Sequence, residues 1–72
     1  MTGLGASERI KLAMTKHGIL WAEVSARIRH DEKCEAWRAE EAVARFRNGG
    51  PCAVVVAAAI ISIIVDKQRV PA

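Results

Sequence analysis

Seventy-two residues restrict the chain to one small domain, close to the lower limit for folding around a single core without disulfide or metal support. Only three residues are aromatic, namely Trp21, Trp37 and Phe46, so we expect a core built from Ile, Leu, Val and Ala. The net charge of +3, from 11 Lys and Arg against 8 Asp and Glu, allows nucleic-acid binding without requiring it.

The serine, cysteine and histidine residues lack the sequence spacing that is typical of a catalytic site or a metal site. The serines are each explained as a helix cap or as a small packing residue, and no glycine-rich loop follows a predicted strand. Cys34 and Cys52 show no CxxC spacing, and His17 and His30 show no HxxxH spacing. We therefore expect no enzymatic activity, no bound metal and no cofactor. The opening residues lack the basic start and apolar run of a signal peptide, which favours reduced thiols and a cytoplasmic location.

The first predicted helix follows a short lead, residues 1–6, that we expect to be flexible. Ser7 is the predicted N-cap, because its hydroxyl can accept a hydrogen bond from a free backbone N–H. Gly18 is the predicted end, because glycine adopts the left-handed conformation of a C-cap without steric cost.

The second predicted helix begins near Leu20 or Trp21. Its apolar face recurs at helical spacing and consists of Trp21, Val24, Ser25 and Ile28. Residues 30–35 are polar and charged and are predicted to form a turn or loop, in which Asp31 is a candidate cap for the next helix.

The third predicted helix covers residues 36–48. Its buried stripe consists of Ala36, Ala39, Val43 and Phe46. Trp37 lies beside this stripe, where it either covers the core or is exposed to contact a partner chain or a base.

Residues 51–65 form an apolar stretch without a charged residue. A helix of this length reaches about 22 Å, short of the hydrocarbon core of about 30 Å. A buried fourth helix that begins at Pro51 is therefore favoured over a membrane span. An all-apolar helix in so small a chain lacks partner surface, so we expect a homodimer with part of residues 51–65 in the interface. The predicted domain covers residues 7–65, and residues 66–72 are predicted to form a tail.

The arrangement of the first three predicted helices is typical of a helix-turn-helix. The first helix of that motif needs a small residue near its middle so that the next helix can cross it closely, and Ser25 occupies such a place between Val24 and Ile28. The run KHGILWAEVSARI, residues 16–28, resembles the segment G-[hydrophobic]-T-x-x-E-L-A-x-x-L of compact repressor-type helix-turn-helix proteins of bacteria and phages. Glu23, Val24 and Ser25 stand in the E-L-A places, and Ile28 stands in the last Leu place. The run RFRNGGPCAVVV, residues 45–56, resembles the end of the block K-[IL]-x-R-G-x-F-[ST] of a small family of uncharacterised domains. The chain is thus predicted to be an all-α, four-helix domain with a helix-turn-helix-like core and a strongly apolar C-terminal helix.

The sequence departs from this pattern at three places. Leu20 stands where the family has a capping Thr or Ser, which removes a hydrogen bond worth about 1 kcal/mol. Residues 29–36 predict a connection longer than the usual three or four residues. Glu40 and Glu41 lie on the third helix, where their charges would repel phosphates.

The resemblance implies a DNA-binding transcriptional regulator of phage, plasmid or bacterial origin, which places its third helix in the major groove of double-stranded DNA. It implies that Arg38 and Arg45 pair with guanine or phosphate and that Glu41 accepts a hydrogen bond from cytosine. The implied backbone contacts come from Arg47, Asn48, Arg27, Arg29 and Lys16.

Besides the less favoured single-span membrane protein, two alternatives remain open at this point. The same residues are otherwise ordinary solvated charges, with Glu41 and Arg45 forming an i,i+4 pair. The size and mixed charge fit equally well a protein-binding inhibitor or adaptor, for example a phage-encoded blocker of a host defence complex.

Overall fold

The computed structural model describes residues 5–69 and folds them into four α-helices without a strand in that range. The helices are α1 (Ala6–His17), α2 (Trp21–Glu32), α3 (Ala36–Arg47) and α4 (Val54–Gln68). Helix α2 is central, because it packs against both α3 and α4, while α1 packs against α4. The predicted all-α class and the predicted number of helices are confirmed.

One core lies where the four helices meet. The largest fully buried side chains are Val24, Phe46, Val56, Ile60 and Ile63. Phe46 of α3 contacts the ring of Trp21 edge-on, with a centroid distance of 5.8 Å, and the ammonium of Lys11 lies 5.0 Å from the Phe46 centroid. Helices α1, α2 and α3 therefore meet at this one aromatic ring.

The predicted buried stripes are largely confirmed. Ala39, Val43 and Phe46 are buried on α3, whereas Ala36 is half-buried. Val24 and Ile28 are buried on α2, where Trp21 and Ser25 are half-buried.

Gly18 ends α1 as predicted. Its φ is 66°, and its N–H donates to the Thr15 carbonyl at 3.2 Å while the N–H of Ile19 donates to the Met14 carbonyl at 2.9 Å. These two bonds form a Schellman motif, and the buried side chains of Met14 and Ile19 supply the apolar pair that accompanies it. The prediction for the start of α1 is wrong, because Gly5 is the N-cap residue and Ser7 lies inside the first turn.

The end of α3 uses two glycines. The N–H of Gly49 donates to the Phe46 carbonyl at 3.2 Å, and the N–H of Gly50 donates to the Arg45 carbonyl at 2.7 Å. Gly49 has a φ of 97°. A Cβ at Gly50 would lie 2.7 Å from the Arg45 carbonyl oxygen, so this close approach requires glycine.

The connection between α2 and α3 is shorter than predicted. Helix α2 continues to Glu32, so residues 33–35 alone join it to α3, and the predicted loop over residues 30–35 is wrong at its start. Lys33 is left-handed, with a φ of 52°. Asp31 lies in the last turn of α2 and contacts His30, so it does not cap α3.

Helix α4 is shifted by three residues from the predicted range. Pro51 precedes the helix, and Ala53 is its N-cap residue. At the other end, Asp66 and Lys67 continue the helix, because they pair with Arg27 and Glu23 of α2 at 2.7 Å and 3.6 Å. The predicted tail is therefore helical to residue 68. The predictions for residues 1–4 and 70–72 lie outside the described residues. Among the helices of residues 5–69, none combines the length and apolar character that crossing a membrane requires.

Candidate nucleic-acid interface

The candidate site is the outward face of α3. Its orientation is fixed by Phe46, whose ring is fully buried on the inward face. Nine residues at about 100° each separate Trp37 from Phe46, so Trp37 lies on the opposite side of the helix. A shallow depression of this outward face is lined by Trp37, Arg38, Glu41, Ala42 and Arg45. The structure thus brings together the three predicted base-reading residues, Arg38, Glu41 and Arg45.

Arg45 and Glu41 form an ion pair along α3. The Arg45 guanidinium donates to Glu41 Oε1 at 2.8 Å, and both side chains are exposed. Such an i,i+4 pair stabilises a helix by about 0.3–0.5 kcal/mol. The cost of exchanging Glu41 for an external partner is therefore small, and Arg45 remains able to reach a phosphate or a base.

Trp37 is 55% exposed, so the structure shows the exposed alternative and not the core-covering one. The Arg38 guanidinium carbon lies 5.4 Å from the centroid of the indole, within cation–π range. At the edge of the ring, the indole Nε1–H donates a hydrogen bond to the carboxylate of Glu35, the residue that precedes α3. The sequence reasoning missed this role of Glu35, which is the N-cap residue of α3 and lies only two positions before Trp37.

Two other predicted residues lie near the C-terminal end of α3. Arg47 lines a second depression, between α2 and α3, together with Trp21, Ser25 and Glu40. Asn48 is the exposed C-cap residue of α3. These residues flank the outward face without lining its central depression.

The predicted cations of the other helices divide into two kinds. Lys16 and Arg29 are exposed, on the last turns of α1 and α2. Arg27 instead donates to Ser62 Oγ at 2.8 Å and pairs with Asp66 at 2.7 Å, both on α4, and its side chain is only 29% exposed. The structure therefore gives Arg27 a part in joining α2 to α4 and places it apart from the α3 face.

Cys34 and Cys52 are free, half-buried thiols. Burial raises the pKa of the Cys52 thiol, and this effect outweighs that of the backbone hydrogen bond with Ala57, which lowers it. Within residues 5–69, the structure forms no cluster of three or more His, Cys, Asp or Glu side chains that could hold a metal ion.

No protein-family model, curated protein or solved structure matches this chain. The resemblance of residues 16–28 to repressor-type proteins therefore stays a prediction.

Proposed function

We propose that this chain is a small DNA-binding transcriptional regulator of phage, plasmid or bacterial origin. It acts in the cytoplasm as a homodimer and inserts α3 into the major groove of double-stranded DNA. The observation that carries the proposal is the short connection, residues 33–35, between α2 and an α3 that exposes Arg38 and Arg45 on one face.

The connection supports the proposal because two helices joined by three or four residues are typical of a helix-turn-helix. A left-handed residue at Lys33 turns the chain directly after α2. The second helix of such a motif lies in the major groove, which is wide enough for one α-helix.

The outward face of α3 supports it through the chemistry of its side chains. Arg38 and Arg45 suit guanine O6 and N7 or a phosphate, and Glu41 suits cytosine N4. Arg47 and Asn48, together with Arg29 and Lys16, are the proposed backbone contacts. Arg27 is left out of the proposed interface, because Ser62 and Asp66 already hold it.

The proposed dimer rests on the outer surface of α4. An exposed stripe recurs there at helical spacing and consists of Val54, Ala58, Ile61 and Val65. Val54 is 84% exposed and Ile61 is 58% exposed. A second copy would cover this stripe, and its own α3 would then read a half-site about one helical turn away. Ile61→Lys is expected to reduce the mass measured by light scattering from that of a dimer to that of a monomer.

The experiment that tests DNA binding is fluorescence anisotropy of a labelled duplex, titrated with the protein at two salt concentrations. We expect micromolar binding that weakens steeply with salt, followed by selection of a preferred site. Arg38→Ala and Arg45→Ala should each weaken binding, and each should reduce the slope of log affinity against log salt concentration by about 2, because both copies of the dimer lose one phosphate contact. Arg9→Ala is the matched control, because it removes the same charge from an exposed position on α1. Unchanged affinity in both α3 variants would contradict the proposal.

The second candidate function is a protein-binding inhibitor or adaptor. The exposed Trp37 beside Arg38 favours it, because tryptophan and arginine are enriched among the residues that dominate protein interfaces. A folded protein that leaves duplex anisotropy unchanged at low salt would support this candidate. The next measurement would then be retention of one stoichiometric partner from a host lysate.

A further inference from the structure

We propose that Trp37 is a specificity-determining residue of the DNA interface, where its indole contacts the C5-methyl group of a thymine. The inference rests on the proposed DNA binding and goes beyond it, because it names a residue and the chemical group that this residue recognises.

The position of Trp37 is the first support. It is the second residue of α3, and the N-terminal residues of a helix in the major groove are those that contact base edges. It lies half a turn around the helix from the buried Phe46, so it points away from the core. A helix that enters the groove with its outward face would therefore bring Trp37 towards the bases.

The contacts of the indole decide what it can recognise. Its one hydrogen-bond donor, Nε1–H, is used by the Glu35 carboxylate. The Arg38 guanidinium lies over the ring. The remaining exposed surface is apolar, and the apolar feature of the major groove is the thymine methyl group. Glu35 and Arg38 also hold the ring before DNA arrives, which lowers the entropy cost of the contact.

The first test uses the two tryptophans as separate probes. Trp21→Phe leaves Trp37 as the only indole, and Trp37→Phe leaves Trp21, which packs edge-on against Phe46. Each variant is titrated with duplex DNA at low salt while indole emission and the anisotropy of the labelled duplex are recorded together. We expect Trp37 emission to change in parallel with anisotropy and Trp21 emission to stay nearly constant.

The two readouts separate the inference from the proposed function. An anisotropy increase without a change in Trp37 emission would overturn the inference and leave DNA binding intact. No anisotropy increase, from protein that is folded by circular dichroism, would overturn both and direct the search to a protein partner for Trp37.

The second test removes the methyl group itself. In the selected duplex, each thymine is replaced in turn by uracil, which lacks the C5-methyl group. At one position we expect the wild-type affinity to fall about three- to fourfold, the factor for one buried methyl-sized group. The same replacement should not weaken binding by Trp37→Gln. An equal loss in Trp37→Gln, or no loss at any thymine in the wild type, would overturn the inference.

Discussion

The first prediction concerns Lys33→Gly, a substitution in the connection that orients α3 relative to α2. Lys33 holds a φ of 52°, a conformation that costs a residue with a Cβ about 1–2 kcal/mol. Glycine removes this cost, but it lowers the free energy of unfolding by about 0.5–1 kcal/mol because it increases the conformational entropy of the unfolded chain. The expected net result is an increase of about 0.5–1 kcal/mol in the free energy of unfolding, or about 2–8 °C in Tm for a domain of this size.

Urea denaturation at a fixed protein concentration measures this change, because the stability of the proposed dimer would depend on concentration. Lys33→Ala is the matched control, since it removes the charged side chain and keeps the Cβ, and it should change the stability by less than about 0.5 kcal/mol. Gly18→Ala is the reverse change. It places a Cβ in open space at a φ of 66°, so the expected loss of about 1 kcal/mol is conformational alone. A Lys33→Gly variant that is less stable than the wild type, or a Lys33→Ala variant that gains as much, would refute the reasoning.

Three further predictions concern the core and the remaining turn. Gly50→Ala should destabilise the fold by about 1–3 kcal/mol in urea denaturation, because the new Cβ would meet the Arg45 carbonyl oxygen at 2.7 Å. Ile60→Val should cost about 0.5–1.5 kcal/mol, because Ile60 is buried, and an unchanged free energy of unfolding would contradict the described burial. In a Cys34→Ser background, the rate of alkylation of Cys52 measured as a function of pH should give a higher apparent pKa in the folded protein than in urea, because burial raises the pKa of this thiol. The folded state then holds the proton more tightly, so its stability should fall as pH rises from the unfolded to the folded pKa.

Local signals made much of the fold predictable. Gly18 ends α1 because its conformation is decided by its own backbone, and the stripe of Ala39, Val43 and Phe46 follows from helical periodicity alone. Gly49 ends α3 for the same local reason, whereas Gly50 allows the close approach to the Arg45 carbonyl oxygen.

Two of the errors, at the end of α4 and at Arg27, arose where distant residues decide the structure. Helix α4 extends beyond its apolar stretch because Asp66 and Lys67 find partners on α2, which periodicity within one segment does not reveal. The ion pair between Asp66 and Arg27 also engages the arginine that the resemblance placed on the DNA backbone. The polar residues 30–32 suggested a loop, but they lie on exposed positions of a helix and need no apolar neighbour there.

The charge balance of α3 shapes how this chain would bind DNA. Three arginines and two glutamates leave the helix a net charge of +1, and the ion pair with Glu41 already engages Arg45. Each neutralised phosphate contributes about 0.9 to the slope of log affinity against log salt concentration, so a helix with so little excess charge would add little to non-specific binding. Occupancy of a specific DNA site would therefore depend on base-edge contacts from Arg38 and Trp37. It would also depend on a second copy of the chain, bound through α4, because the second copy doubles the number of those contacts within one site.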